Sequence, residues 1–488
     1  VQTCALPISY SFSNVNEIYG HAHEEEDHLD ELELKGHVVK TRFINSNPNP
    51  IFIEEKQSSF QKSTRTVLVN SLKTQYQKLE VSNLTRQNIE LLHHENTFTI
   101  TTGHQLNLFT GPLYFLYKII SVINLTNELK AAYPENNFVP VYWMATEDHD
   151  FDEINYFNFK GKKVQWSRQA SGAVGRLNTE DLDKVLDVFT ASLGFGANAN
   201  RIKELFKCAY LDHKNLADAT RFLANELFGT YGLVIVDADD RDLKSLFAPY
   251  VKKELTEQIS FTKVSETNEK INSLGFNVQV NPREINLFYL KEDLRERIVE
   301  QNGTYFVNDT DISFTKSELL TELEKQPERF SPNVIMRPLY QEVILPNLCY
   351  IGGGGELAYW FQLKSYFKAV NVPFPMLLLR NSVLVKTAKQ SEKLKKLGIS
   401  INELFLNQEE LVNQQVKKLS KIDIDFSAQI EHLQNQFKAL YQLAKETDKS
   451  FLGAVAAQEK KQLKGLTHLE KRLLRAQKRK LNEQISRI

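Results

Sequence analysis

The stretch Thr97–Ile120, TFTITTGHQLNLFTGPLYFLYKII, decides the fold that we predict for this chain. Its apolar residues Phe98 and Ile100 indicate a buried strand, and Thr102–Gln105 then forms a turn. A second turn at Thr110–Pro112 begins an amphipathic helix. A strand that runs through glycine turns into a helix N-terminus is a frequent anion-binding corner of α/β proteins, because free N–H groups and the helix dipole favour negative charge. The same pattern also fits a strand–turn–helix unit that binds nothing.

Polar and glycine residues of this stretch are the first candidates for substrate binding. We expect the turns to hold a carboxylate or a phosphate, with one lysine about two helical turns further along at the edge of the site. The candidates are Gly103, His104, Gln105, Thr110, Gly111 and Lys118.

Length and composition restrict the class of protein. A chain of 488 residues predicts two or more domains. The net charge of −1 gives no global field that recruits nucleic acid or a membrane, and no apolar run approaches the roughly 20 residues of a bilayer span. The three cysteines, Cys4, Cys208 and Cys349, lack metal-ligand spacing, and no signal-peptide pattern opens the chain. We therefore expect a reduced, cytoplasmic protein.

A second group of polar residues follows the apolar run Phe138–Met144, which predicts a buried parallel strand. Five acids and one histidine lie within Ala145–Glu153, where the strand ends. Open α/β sheets place ligands at the carboxyl ends of their strands, so this group predicts a site. Acids at a helix N-terminus that merely complement the dipole are the structural alternative. The candidates for catalysis are Glu147, Asp148, His149 and Asp150.

A third group surrounds a run of four glycines, Gly352–Gly355, between a predicted strand and a predicted helix. The run lacks the spacing of a dinucleotide fingerprint and of a P-loop, but glycines let backbone approach a ligand closely. A final strand, Pro375–Leu379, ends beside further polar residues. The candidates for substrate binding here are Arg337, Gln341, Gly353, Gly354, Glu356, Tyr359, Arg380 and Asn381. The two arginines are candidate carboxylate clamps, with internal ion pairs to the clustered acids as the alternative.

Changes in pattern divide the chain into three parts. Residues 1–50 are poorly patterned, and their His21, His23 and His28 beside acids fit either a solvated segment or a metal site. Residues 51–382 form the α/β core, with insertions over about 160–335. The insertions include the short predicted strands Phe276–Val280, Ile285–Leu290 and Thr304–Val307. Residues 383–488 carry heptad-like apolar spacing, which predicts an antiparallel coiled coil or a dimerisation arm, with a basic stretch at 472–480 that is solvated or binds phosphate.

Five stretches in order resemble one family, the cysteine-adding enzymes of bacillithiol synthesis. They are TGHQLNLFTGPLYFLYKI (102–119), VYWMATEDHDFDEIN (141–155), MRPLYQ (336–341), IGGGGELAYW (351–360) and LLLRNS (377–382). The resemblance covers about residues 60–382 and the character of the helical tail. It implies a Rossmann-like parallel-sheet core with inserted connecting α+β segments, and a C-terminal α-helical coiled coil through which two chains form a homodimer.

The resemblance also implies an activity, the joining of L-cysteine to the amine of glucosaminyl malate in the last step of bacillithiol synthesis. ATP or ADP is the candidate nucleotide, and no metal is assigned. Under this hypothesis His149 is the general base, because histidine ordinarily titrates near neutral pH, and Asp148 or Asp150 binds the cysteine ammonium or sugar hydroxyls. Two other hypotheses stay open, a metal-dependent hydrolase built on Glu147–Asp150 and a non-catalytic coiled-coil scaffold.

Overall fold

The computed structural model describes residues 50–383 and 385–486. The predicted histidine and acid cluster at residues 21–28 lies outside the described residues. The helices are α1 (Pro50–Ser59), α2 (Lys62–Gln75), α3 (Asn83–Leu91), α4 (Tyr114–Ala132), α5 (Phe151–Ile154), α6 (Leu182–Leu193), α7 (Ala197–Tyr210), α8 (Leu216–Phe228), α9 (Arg241–Glu257), α10 (Ile259–Ser273), α11 (Lys316–Lys325), α12 (Arg337–Ile344), α13 (Gly354–Phe361), α14 (Lys364–Ala369), α15 (Ala388–Leu397), α16 (Gln408–Leu419), α17 (Ser427–Lys445), α18 (Lys449–Lys480) and α19 (Asn482–Ile485). The strands are β1 (Thr97–His104), β2 (Asn137–Met144), β3 (Tyr156–Phe159), β4 (Lys162–Gln165), β5 (Val234–Asp237), β6 (Leu287–Lys291), β7 (Leu294–Gln301), β8 (Thr304–Val307), β9 (Ser313–Thr315), β10 (Phe330–Pro332), β11 (Asn347–Gly352) and β12 (Met376–Leu379).

A parallel sheet with the strand order β12–β11–β1–β2–β5 forms the centre of the first unit. The chain moves from β1 to β2 and β5 on one side, and returns to β11 and β12 on the other. The strand order therefore reverses between β1 and β11, and open α/β sheets bind ligands outside the carboxyl ends of strands at such a switch point. This sheet confirms the predicted α/β, Rossmann-like fold class.

Strand β1 is buried on both faces, and its two faces have different chemistry. Phe98 and Ile100 lie in an apolar cluster with Val122 and other residues of α4. On the other face, Thr99 and Thr101 donate hydrogen bonds to Asn347 Oδ1 of β11 at 3.2 and 2.8 Å. The apolar residues anchor the strand in the core, while the threonines satisfy a buried amide.

The predicted turn at Thr102–Gln105 is wrong, because β1 continues through His104. Gly103 pairs with Trp143 in the ladder between β1 and β2, so the glycine lies inside a strand. The predicted helix also starts later, at Tyr114. The intervening Leu108–Thr110 forms a 3₁₀ turn, which Gly111 follows with a φ of 57°.

The insertion contains an antiparallel sheet with the order β10–β6–β7–β8–β9. The predicted strand Phe276–Val280 does not form. The side chain of Gln362 explains the difference, because its Oε1 accepts hydrogen bonds from the backbone of Gln279 and Val280, both at 3.0 Å. An amide side chain thus satisfies backbone groups that a neighbouring strand would otherwise bind.

The contacts between Cα atoms divide the chain into two units between Val383 and Leu384. In the second unit, α17 and α18 pack against each other around Phe437, Ala444 and Val455. The three-residue connection between these helices makes them antiparallel. Among residues 50–383 and 385–486, no helix is long and apolar enough to cross a membrane.

A buried arginine holds the segment that leads into β1. Arg65 of α2 is 1% exposed, and its guanidinium donates to the carbonyl oxygens of Leu92, Glu95 and Thr97 at 3.0–3.1 Å. These bonds connect the end of α3 to the first residue of the central strand. Arg65 therefore fixes where β1 begins.

We predict that Arg65→Met lowers the free energy of unfolding by about 3 kcal/mol, because three carbonyl groups, two of them buried, lose a charged donor. Urea denaturation followed by circular dichroism measures the change. Arg86→Met on the exposed face of α3 is the matched control, with an expected change within about 0.5 kcal/mol. Equal stability of both variants would contradict the assigned role of Arg65.

Candidate functional site

A cluster of charged and aromatic side chains, here called the switch-point site, lies where β1 and β11 end. Its centre is the ammonium group of Lys118, which α4 places beneath the carboxyl end of β1. The Lys118 Nζ donates to the carbonyl oxygen of Gly103, and lies 2.9 and 2.8 Å from the two carboxylate oxygens of Glu356. The sequence predicted that Lys118 lies at the edge of the site. In the structure it lies at the centre. Because the carbonyl oxygen of Gly103 binds a cation, this part of the predicted anion site does not consist of free backbone N–H groups alone.

Glu356 is held by three protein donors. Besides Lys118, the hydroxyl of Tyr350 and the backbone N–H of Gly353 donate to its carboxylate at 2.8 and 2.7 Å. Although burial opposes ionisation, the charge of Lys118 and these hydrogen bonds hold the pKa of Glu356 below its usual range. Burial lowers the pKa of Lys118, and Glu356 opposes that shift. The Glu356 side chain is 29% exposed against 4% for Lys118, so a ligand can reach the carboxylate.

The guanidinium of Arg337 lies beside this pair on an aromatic wall. It donates to Gln341 Oε1 at 3.1 Å and to the hydroxyl of Tyr359 at 3.2 Å, and it lies within 6.0 Å of the ring centres of Trp143, Tyr350 and Trp360. Among the described residues Arg337 forms no ion pair, so the internal-pair alternative is not realised for it. A guanidinium has five N–H donors, which leaves donors for a ligand.

Two predicted residues near Arg337 have roles other than substrate contact. Gln341 is fully buried, so it lies behind Arg337 and does not face a ligand. Gly103 provides space, since a Cβ there would lie 3.1 Å from the Tyr350 hydroxyl and 3.6 Å from Arg337. No sequence signal singled out Tyr350, although it lies in the predicted strand shortly before the glycines.

The end of β12 contributes Arg380 to the same edge. Its backbone N–H donates to Gly352 O at 2.9 Å, and its guanidinium lies 5.0 Å from the ring centre of Tyr114. A Cβ at Gly353 would lie 3.6 Å from Arg380 Nε, so the glycine leaves room beside this cation. Arg380 is half-buried and forms no ion pair with the described carboxylates. Gly354 and Asn381, both exposed, border the site on this side.

His104 lies at the end of β1 with its ring between Tyr114 and Phe115. Its Nδ1 donates to the carbonyl oxygen of Gln105 at 2.8 Å, and its buried Nε2 has no hydrogen-bond partner in the described protein. Burial and the nearby charge of Lys118 lower the pKa of His104 to about 3. The side chain is therefore neutral at physiological pH, and with its proton on Nδ1 its Nε2 can only accept a hydrogen bond.

The loop residues Thr110 and Gly111 have a conformational role in the structure. Thr110 has a φ of 70° and Gly111 a φ of 57°, and a Cβ at Gly111 would lie 2.5 Å from Asn107 Cβ. Only glycine fits that position. Within the part of the chain that the structure describes, no hydrogen bond or ion pair joins these two residues to the switch-point site.

A second group, here called the acidic cluster, follows β2. Glu147 forms a largely buried ion pair with Lys244 of α9, so its carboxylate is engaged in holding the insertion. Gln105 donates to Asp148 Oδ2 and to Glu153 Oε2, both at 2.9 Å. Gln105 therefore joins the end of β1 to the acids after β2.

His149 is engaged by a residue that the sequence did not indicate. Arg295 of β7 donates to His149 Nδ1, so the neutral imidazole carries its proton on Nε2, which lies 3.9 Å from Asp150 Oδ1. With its lone pair occupied, His149 can accept a proton only if Arg295 moves away. Its role as general base stays a prediction. No sequence signal identified Arg295, which lies 146 positions from His149 in the chain.

The acidic cluster also has the residue types of a metal site. Asp148, His149 and Asp150 offer ligand atoms that all lie within 4.8 Å of one another. Arg295, however, places a buried cation on His149 Nδ1, and a cation repels a metal ion. Burial and the charge of Asp148 raise the pKa of Asp150 above its usual value. The arrangement favours a hydrogen-bonding or ammonium-binding role over a metal site.

Comparisons with known proteins agree with the fold. Residues 36–381 match the family model described as "Bacillithiol biosynthesis BshC, N-terminal Rossmann-like domain", and residues 383–488 match "Bacillithiol biosynthesis BshC, C-terminal coiled-coil domain". Among the relatives named "Putative cysteine ligase BshC", that of Christiangramia forsetii is 63% identical over 440 residues, which are 89% of this chain and 82% of the relative. The relative from Flavobacterium johnsoniae is 63% identical with the same coverage, and that from Bacillus cereus is 30% identical over 86% of this chain and 80% of its own length.

The low pKa of His104 gives a prediction for stability. Between pH 6.5 and about 3, the unfolded chain binds a proton at this histidine and the folded protein does not, so the free energy of unfolding falls as pH falls. We predict that wild type loses on the order of 1 kcal/mol per pH unit more than His104→Gln between pH 6.5 and pH 4. Urea denaturation at pH 7, 6, 5 and 4 measures the difference. Parallel pH profiles would contradict the buried neutral histidine.

Proposed function

The chain belongs to the bacillithiol biosynthesis BshC family, and we propose that it is the ligase that joins L-cysteine to the amine of glucosaminyl malate in the last step of bacillithiol synthesis. Relatives that are 63% identical carry the name "Putative cysteine ligase BshC", and a ligase activity for this protein agrees with that name. The observation that carries the substrate assignment is the charge of the switch-point site. This site lies at the carboxyl ends of β1 and β11, which is where sheets of this kind bind ligands.

The switch-point site suits the malate part of the acceptor. Lys118, Arg337 and Arg380 are cations, and Glu356 is the one carboxylate among the four, so together they carry two positive charges. The malate part carries two carboxylates, which match this charge. Arg337 and Arg380 are the proposed clamps, because guanidinium groups bind carboxylates through two parallel hydrogen bonds.

The acidic cluster suits the positively charged and hydroxyl groups of the substrates. The side chains of Asp148 and Asp150 are 24% and 54% exposed, so both can be reached from solvent. We propose that they bind the cysteine ammonium and sugar hydroxyls. The two clusters then hold the substrates at neighbouring strand ends, with Gln105 between them.

Amide formation needs an activated carboxyl group, a neutral amine and a stabilised oxyanion. We propose ATP as the source of activation: transfer of its γ-phosphoryl group to the cysteine carboxylate would release ADP, and attack by the acceptor amine would then form the amide and release phosphate and a proton. His149 is the proposed base after substrate binding separates it from Arg295. In the geometry described here, His149 Nε2–H is available as a hydrogen-bond donor.

The two other hypotheses have weaker support. A metal-dependent hydrolase would use the acidic cluster, where Glu147 is already paired with Lys244 and His149 with Arg295. A non-catalytic scaffold would not explain why charged side chains converge at the sheet edge of the first unit. The ligase assignment agrees with both the family and the charge distribution.

The proposal predicts a product that mass spectrometry detects. Purified protein with L-cysteine, glucosaminyl malate, ATP and magnesium should form bacillithiol, and omission of ATP should abolish product formation. We expect Arg380→Met to lower kcat/KM about tenfold through loss of a charged hydrogen bond, while Arg86→Met leaves it unchanged. No product from folded wild-type protein under either condition would contradict the proposed reaction.

We propose further that the protein acts as a cytoplasmic homodimer, formed through the helical second unit. Leu440 and Leu443 of α17 are 41% and 53% exposed, and they lie one helical turn apart on a face that residues 50–383 and 385–486 leave uncovered. Exposed leucines at this spacing on an antiparallel helix pair are typical of a coiled-coil contact.

We predict that the double variant Leu440→Glu/Leu443→Glu is a monomer, whereas wild type has twice the chain mass. Burial of two carboxylates in an apolar contact opposes association. Light scattering after size exclusion measures the mass, and Gln442→Glu, between the two leucines in sequence, is the control. A wild-type monomer, or a variant that remains dimeric, would contradict this interface.

A further inference from the structure

A buried chain of hydrogen bonds leads from the switch-point site into the core. Arg337 donates to Gln341 Oε1 at 3.1 Å, and Gln341 Nε2 donates to Glu342 Oε1 at 3.0 Å. Lys56 of α1 donates to the other oxygen of Glu342 at 3.1 Å. Asn347 Nδ2 donates to Glu342 Oε1 at 2.7 Å, which ties the chain to β11.

Every residue that continues this series of hydrogen bonds behind Arg337 is shielded from solvent. Gln341 and Asn347 are 0% exposed, Lys56 is 1% exposed and Glu342 is 2% exposed. A buried carboxylate is stable when a cation and hydrogen-bond donors compensate for its desolvation, which Lys56, Gln341 and Asn347 do here. None of these side chains can touch a ligand, so any effect on binding passes through Arg337.

The carboxylate of Glu342 fixes the orientation of the Gln341 amide. A carboxylate accepts hydrogen bonds and cannot donate them, so Gln341 must turn its NH₂ group toward Glu342. Its carbonyl oxygen then faces Arg337. With the amide reversed, two N–H groups would meet the guanidinium, which has donors only.

We infer that Gln341 and Glu342 are positioning residues, which hold the Arg337 guanidinium in the orientation that receives a substrate carboxylate. This inference rests on the proposed function, in which Arg337 binds the malate part. Tyr359 holds the other terminal nitrogen, with its hydroxyl 3.2 Å from Arg337 Nη2. The two partners leave the remaining guanidinium donors in a fixed plane, and a preorganised donor loses less entropy when the ligand binds.

The test is Gln341→Met, which keeps the side-chain length and removes both polar atoms. We expect KM for glucosaminyl malate to rise about tenfold with kcat within about twofold, because one charged hydrogen bond to the ligand loses its alignment. Thr99→Val is the matched control. It removes a buried hydrogen bond to Asn347, which Arg337 does not contact directly, and should leave KM unchanged. A fall in kcat at constant KM would overturn the inference.

A double-mutant cycle with Arg337→Lys separates positioning from a structural effect. Lysine lacks the planar donor fork, so Gln341→Met should raise KM less than about twofold in that background. Equal losses in both backgrounds would overturn the inference. Should Gln341→Met fail to fold, Glu342→Gln makes the same comparison, because an amide no longer dictates which atom of Gln341 faces Arg337.

Calorimetric binding of L-malate distinguishes this inference from the proposed reaction. If wild type forms no bacillithiol, the proposed reaction fails. Weaker L-malate binding by Gln341→Met than by wild type and Thr99→Val still supports the positioning role. Equal binding by all three proteins, or no binding by wild type, would overturn it.

Discussion

The contact of the Lys118 ammonium with Gly103 and Glu356 is the interaction on which the site depends. It joins three elements, since Lys118 belongs to α4, Gly103 to β1 and Glu356 to α13. These elements meet only because β1 and β11 are neighbours at the point where the strand order reverses. A buried lysine needs a carboxylate partner, so the pair also fixes the first turn of α13 against the sheet edge. The remaining residues of the switch-point site are arranged around this pair.

Charge differs between the neighbouring strand ends. On the β11 and β12 side, Arg337 and Arg380 add positive charge to the Lys118–Glu356 pair. On the β2 side, Asp148 and the other acids carry excess negative charge that Arg295 only partly offsets. A substrate pair with two carboxylates on one molecule and an ammonium on the other matches this division. Two internal ion pairs stabilise the elements around the site and are not available to a ligand. They join Glu147 to Lys244 and Glu342 to Lys56.

Much of the fold follows from local pattern, because buried parallel strands are continuous apolar runs and glycines mark the ends of several. Those signals located β2, β11 and β12 and placed the polar groups at their ends. The structure differs from the sequence-based prediction where an unexpected residue binds the backbone. Gln362 accepts hydrogen bonds from the backbone of residues 279–280, where a strand was predicted. Trp143 pairs with Gly103 in the sheet, where a turn was predicted. Contacts between residues that lie far apart in the sequence could not be predicted, because no local pattern indicates them. Arg295 reaches His149 from the insertion, and Lys56 reaches Glu342 across 286 positions.

A crystal structure with glucosaminyl malate bound is the direct test of whether the malate part binds at the switch-point site. We predict that the two malate carboxylates lie within hydrogen-bond distance of Arg337 and Arg380. We also predict that the amine of the sugar points toward Asp148 and His149. Electron density for the malate part at the acidic cluster, or on another surface with the switch-point site empty, would show that this assignment is wrong.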